Sequence, residues 1–193
     1  MPIQVRLPDD SVRDLQDGAT GEDLAAAIGP RLREAALAVK VDGALWDLRC
    51  PLPNGSRVAI LTAQDPEGLE ILRHSTAHLL AQAVKRLFPQ ARVGVGPVIE
   101  DGFYYDFLVD RFFTPEDLAV IEAEMVRLRD EGLVVEREEW SREQAIARFE
   151  SMGEPLKVEL VRDIPDGEII STYRQGDFYD LCRGPHVPSV DKL

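Results

Sequence analysis

Two short stretches of this chain hold residue types that could do chemistry together. His74-Ser75-Thr76-Ala77-His78 sets two imidazoles at i and i+4, and Cys182-Arg183-Gly184-Pro185-His186 sets a thiol and a third imidazole at the same spacing. All three histidines of the 193 residues and one of the two cysteines fall in these segments, which points to one shared site. Three chemistries use such a set. Three imidazoles and a thiolate can hold a tetrahedral zinc ion, closed and structural if all four bind, catalytic only if a position stays open. The spacing matches a zinc-finger pattern only loosely. Without metal, the imidazoles can orient and deprotonate water. A cysteine nucleophile is the weaker third option, because a thiol among imidazoles can equally orient water or line a pocket. Cys50, in Arg49-Cys50-Pro51, reads as a small turn or core residue.

Other residues could complete the site. Asp180 precedes Cys182 by two, so on a strand both side chains share a face; a solvated edge acid is the plainer alternative. Lys157 opens the apolar run Lys157–Val161, which reads as a strand. It could meet a phosphate or a developing oxyanion, although an exposed strand-end lysine suits the local pattern better. Val93-Gly94-Val95-Gly96-Pro97 would let a substrate approach the backbone, but no GxxxxGK follows. Phe103, Tyr104 and Tyr105 read as sheet packing. Residues 71–99 carry Arg73, Lys85, Arg86 and Arg92 without an acid, a local excess that a phosphate-bearing partner could use.

The elements that must position these groups follow from the hydrophobic pattern. A helix over about 69–88, stopped by Pro89, puts His74 and His78 on one face. At 100° per residue, Leu72, Thr76, Ala77, Leu79, Leu80, Ala83, Val84 and Leu87 fill a broad apolar arc. The two histidines lie off it with Ala81 and Lys85, so a purely core role fits poorly and a solvated face is the alternative. Strands over 92–100 and 103–107 about Asp101-Gly102 follow. A helix starts at Thr114-Pro115-Glu116-Asp117, with Leu118, Ile121, Met125 and Leu128 on one face, and ends at Gly132. Ser141 and Gln144 form a capping box for another. Strands over 169–173 and 178–182 complete an α+β unit with a mainly antiparallel sheet.

Residues 1–62 read as a smaller unit. Ile3, Val5 and Leu7 alternate, Val12 and Leu15 continue a second strand, and Thr20 with Asp23 caps a short helix ending at Gly29-Pro30. Asp42-Gly43 joins two strands as a hairpin, and residues 57–62 form the last. The order β-β-α-β-β-β suggests a β-grasp. Residues 63–69 hold turn formers, so the boundary is placed there, giving domains 1–62 and 63–193. The net charge of −13 excludes a strongly basic nucleic-acid binder as a whole-chain description. The first unit has 7 basic and 9 acidic residues, so most of the acidity belongs to the second. No apolar run spans a bilayer and no secretory signal is legible, so a cytoplasmic, reducing setting without membrane association is expected.

The strings HSTAHLL at 74–80, GPVIEDGFYYDF at 96–107 and DLCRGPHVPS at 180–189 resemble the N-terminal half of the bacterial threonyl-tRNA synthetases, and the likeness covers essentially the whole chain. It implies a TGS domain at 1–62 and an editing domain at 63–193. The implied activity is hydrolysis of serine misattached to tRNA(Thr). One missing methyl discriminates by only about 1–3 kcal/mol, so accuracy needs a second site that excludes threonine. The resemblance implies that His74, His78, Cys182 and His186 line the site. His74 would activate water and Lys157 would assist. Asp180 would hold the substrate ammonium, and main-chain groups near Gly96 and Tyr104 would meet the seryl-adenosine end. It implies no cofactor for editing. Alanyl-type relatives would place zinc on the same four residues; ATP and a further zinc belong to a synthetic core not legible here. The expected partner is mischarged tRNA(Thr); the parent enzyme would be a homodimer through regions outside this chain. An excised fragment without threonine activation is expected ahead of a freestanding factor. Two alternatives stay open: a zinc-dependent alanyl-type editor, and a non-catalytic RNA- or protein-binding module with a structural metal.

Overall fold

The structure is a computed structural model describing residues 1–193. The chain divides into two compact units, residues 1–72 with 184–188 and Lys192, and residues 73–183 with 189–191 and Leu193.

In the first unit, β1 (Ile3–Arg6) pairs antiparallel with β2 (Val12–Leu15). Helix α1 (Gly21–Ile28) opens with a full capping box: Thr20 Oγ1 accepts from Asp23 N while the Asp23 carboxylate accepts from Thr20 N at 2.8 Å. A short helix α2 (Pro30–Ala35), not anticipated from sequence, begins at the proline that ends α1, since proline suits a first helical turn. β3 (Ala36–Val41) lies between β4 (Ala44–Asp47) and β5 (Val58–Thr62). The turn from β3 to β4 has Asp42 at φ 48° and Gly43 at φ 90°, the left-handed pair that a two-residue hairpin needs. A parallel bridge between Arg6 and Arg57 joins β1 to the start of β5. The resulting order β2-β1-β5-β3-β4, with α1 on one face, is a β-grasp. Its core is a single apolar cluster around Val5, Leu24, Val39 and Val58.

The long helix α3 (Pro66–Leu87) carries the chain into the second unit. The glycine-rich stretch after it breaks the two expected strands into β6 (Arg92–Val93), β7 (Val98–Ile99), β8 (Gly102–Phe103) and β9 (Phe107–Leu108). β6 pairs with β9 and β7 with β8. Helix α4 (Pro115–Glu131) starts from the Thr114–Asp117 capping box and ends at Gly132. Ile121 and Leu128 are buried on its inner face, but Leu118, one turn from the N-terminus, is 58% exposed. β10 (Val135–Trp140) was not anticipated, because Glu136, Arg137, Glu138 and Glu139 hide its alternation behind charge. Helix α5 (Arg142–Ser151) follows the Ser141–Gln144 box.

Residues 155–163 form helix α6, not the strand expected from 157–161. Pro155 sits in its first turn, and Lys157, Val158 and Val161 fall on one helical face, all buried. A five-residue apolar run cannot separate these periods, and packing chose the helix. β11 (Ile170–Gln175) and β12 (Phe178–Leu181) then complete a sheet of order β10-β11-β12, antiparallel throughout. Alternation sends Tyr173, Gln175, Asp180 and Phe178 to one face, and Ile170, Thr172 and Leu181 to the other. Ile170 packs with Phe149, Val158 and Val161 of α5 and α6, while Phe178 packs with Ala81 of α3. No helix is long and apolar enough to cross a membrane.

Candidate active site

Helical spacing stacks His74 and His78 on α3, with ring centroids 5.2 Å apart and planes at 88°. The side opposite the apolar arc is not solvated: His78 is 4% exposed and His74 is half-buried. They face the end of β12. His74 Nε2 lies 3.2 Å from Cys182 Sγ, and His78 Nε2 lies 3.5 Å from Asp180 Oδ2. His186, the third imidazole of the sequence pattern, is buried in the first unit. Within its own unit, His186 donates its backbone N–H to Asp47 Oδ1 at 2.9 Å.

Asp180 is not a solvated edge acid but is 1% exposed. Its Oδ1 ion-pairs with Lys157 Nζ, and its Oδ2 accepts a 2.5 Å hydrogen bond from the Tyr105 hydroxyl. Lys157, 2% exposed, also donates to Gly94 O at 2.6 Å and to Tyr105 Oη at 3.3 Å. The ammonium thus has two hydrogen-bond acceptors and a carboxylate ion partner, which is how a cation tolerates burial.

Tyr105 is the participant that sequence reading missed. Three consecutive aromatics gave no sign of which would turn inward, and Tyr104 beside it is 49% exposed. Gly96 lies against the Tyr105 ring; a Cβ there would stand 2.2 Å from its Cδ2, so only glycine admits the ring in this position. The cationic stretch is largely spent on structure. Arg73 donates to Glu100 O, Lys85 pairs with Glu154, and Arg86 pairs with Glu124, Glu131 and Asp177. A recess of about 350 Å³ in the second unit, lined by Gln82, Val93, Met152, Phe178 and Tyr179 among others, includes Lys157 but not His74, His78, Asp180 or Cys182.

Burial sets the protonation. The His74 imidazole is held below its ordinary value by desolvation, partly offset by the Asp180 carboxylate. His78 is held well below it by burial, then by the neighbouring His74 and by the Lys157 cation. Burial, then the Asp180 charge, pushes the Tyr105 phenol far up, so it stays a donor. Near neutral pH both imidazoles are uncharged, hence able to take a proton from water or to ligate a metal. The donor types, imidazole and thiol, fit a zinc-like ion.

A largely buried imidazole pair beside a thiol and a Lys–Asp–Tyr network, carried by an α+β unit that follows a β-grasp in the chain, defines the class: a two-unit α+β protein with a buried polar cluster in its second unit. Comparison with known families narrows this. The TGS domain profile matches residues 3–62, and that of the threonyl and alanyl tRNA synthetase second additional domain matches residues 170–193. The chain is 58% identical over 189 residues to a threonine–tRNA ligase of Acidithiobacillus ferrooxidans, covering 98% of this chain and 29% of the relative. It is 56% identical over 193 residues to that of Methylococcus capsulatus, covering 100% and 30%. It is 52% identical over 191 residues to that of Anoxybacillus flavithermus, covering 99% and 30%. The chain is thus a relative of the TGS and editing-type region of bacterial threonyl-tRNA synthetases, and it spans about three-tenths of the length of these relatives.

Proposed function

We propose that this chain hydrolyses the ester of seryl-tRNA(Thr), removing serine wrongly attached to threonine tRNA. The observation that carries the reading is the convergence of the neutral His74–His78 pair on Cys182, beside the buried Lys157–Asp180 pair. In this reading the His74 imidazole takes a proton from water as the water oxygen bonds to the ester carbonyl carbon. The tetrahedral intermediate then breaks its bond to the ribose oxygen, which leaves with that proton, giving serine and free tRNA. His78 and Cys182 stand beside His74 and orient the water. Lys157 and Asp180 act as a pair: the ammonium draws negative charge towards the reacting carbonyl, and the carboxylate, restrained by Lys157 and Tyr105, faces the substrate ammonium. Main-chain groups near Gly96 and Tyr104 meet the seryl-adenosine end. Discrimination comes from excluding the extra methyl of threonine, which a synthetic pocket weighs too weakly.

A second reading is favoured by the donor types, two neutral imidazoles with His74 Nε2 lying 3.2 Å from the Cys182 thiol. There His74, His78, Cys182 and His186 hold a zinc ion, which would supply Lewis acidity if a position stayed open, or structure if closed. Incubation with seryl- and threonyl-tRNA(Thr), with and without chelator, tests both. Selective loss of the seryl ester, insensitive to chelation and abolished in His74→Ala, is expected. Equal loss of both esters, or none, overturns the first reading; chelator-sensitive loss with stoichiometric zinc favours the second.

A further inference from the structure

Glu154 lies outside the four-residue cluster, yet its side chain is only 4% exposed. A carboxylate is seldom buried this far unless its oxygens are committed. Oε2 accepts a hydrogen bond from Val93 N at 2.9 Å, and Oε1, which has no hydrogen-bond partner, is met by the Lys85 ammonium at 2.6 Å as an ion pair. Lys85 in turn donates to Ala91 O at 2.9 Å and Pro89 O at 3.1 Å. Glu154 is the residue at which α6 starts, and Lys157 stands three residues on, its N–H bonded to Glu154 O at 3.1 Å. One turn of helix therefore grips two adjacent residues of the β6 segment: Glu154 holds Val93 N and Lys157 holds Gly94 O at 2.6 Å. Lys85 ties the same grip to α3, two turns beyond His78.

We propose that Glu154, through Val93 N, is a positioning residue for Lys157, and that Lys85 neutralises it so that this buried acceptor can be kept. The inference rests on the deacylase reading for its kinetic consequence but not for its geometry. With Val93 released, Gly94 O is no longer held opposite the ammonium, and Lys157 loses one of its two hydrogen-bond acceptors. Its geometry against Asp180 and Tyr105 then loosens.

The test compares two double variants that both remove the ion pair, so neither leaves a buried lone charge. K85M/E154Q keeps an acceptor for Val93 N; K85M/E154L does not. The expected result is at least tenfold lower kcat for seryl-tRNA(Thr) hydrolysis in K85M/E154L than in K85M/E154Q, with KM within twofold. Nuclear magnetic resonance of the Lys157 ammonium supplies a readout independent of activity. Its slowly exchanging proton signal is expected to persist in K85M/E154Q and to broaden or vanish in K85M/E154L, with the Val93 amide shifting alongside. Identical Lys157 signals in the two folded variants overturn the proposal. An intact parent that hydrolyses no ester overturns the deacylase reading instead, while the resonance comparison still decides the positioning role.

Discussion

The two units bury different things. The first closes on one apolar cluster, with Leu24, Val39 and Val58 fully buried. The second buries apolar clusters too, but threads a polar file between them: His78, Gln82, Glu154, Lys157, Gln175 and Asp180, each under 5% exposed. Apolar packing is undirected and tolerates volume-conserving change. A buried polar file is directional, because every donor must find its acceptor or cost about 1–3 kcal/mol. Gln82 and Gln175 illustrate this. Gln82 Nε2 donates to Gln175 O at 3.0 Å, and Gln175 Nε2 donates to Gln82 Oε1 at 2.9 Å, locking α3 to β11 one turn past His78. The first unit is built to be stable, and the second to hold particular groups in particular places.

Breaking the polar file should have the largest effect. Lys157→Met leaves the Asp180 carboxylate buried without its cation, expected to cost about 3–5 kcal/mol and to abolish ester hydrolysis. Leu24→Ala should cost about 2–5 kcal/mol in the first unit. Trp46 lies in that unit and Trp140 in the second, so single-tryptophan variants followed by fluorescence during urea unfolding assign each loss to its unit. A unit-wide loss at Trp46 after Lys157→Met would blur the contrast drawn here.

Acid should separate the units more gently. His74 and His78 both have folded values below the unfolded 6.5, so the native state binds fewer protons than the unfolded state. Their contribution is complete above pH 6.5 and is lost as pH falls below it, by at most about 1.4 kcal/mol per pH unit for each histidine. Urea midpoints for the Trp140 reporter should therefore drop between pH 7 and 5, and the drop should shrink in His78→Phe. The smallest effect is Thr20→Ala, which removes one cap of α1 at about 1 kcal/mol. It should lower the Trp46 midpoint and leave the rate of ester loss unchanged.

Legibility in the sequence followed the range of the interactions. The Asp42-Gly43 hairpin, the Thr20, Thr114 and Ser141 caps and the i, i+4 histidine pair are local, and each was readable from a few neighbouring residues. The α6 segment was misread as a strand because its short run carries no period of its own. β10 was passed over because charge masked it. Lys157 was readable as a possible cation for an oxyanion, but the local pattern favoured an exposed strand end; nothing in its neighbours announces a buried ammonium. Tyr105 stood beside an equally plausible Tyr104, and the choice between them depends on Gly96 making room for one ring.

By itself, then, the order of residues determined the local units: which segments turn, where helices begin, that two imidazoles share a helical face, and that a cysteine–histidine pair of the same spacing lies about a hundred residues on. Tertiary structure alone decided that the histidine face is buried rather than wet, that Lys157 and Asp180 meet, and that Tyr105 and Glu154 hold them. Local preferences act over one turn or one hairpin. Burial and polar pairing arise only when distant segments exclude water together, and no window of the chain contains both partners.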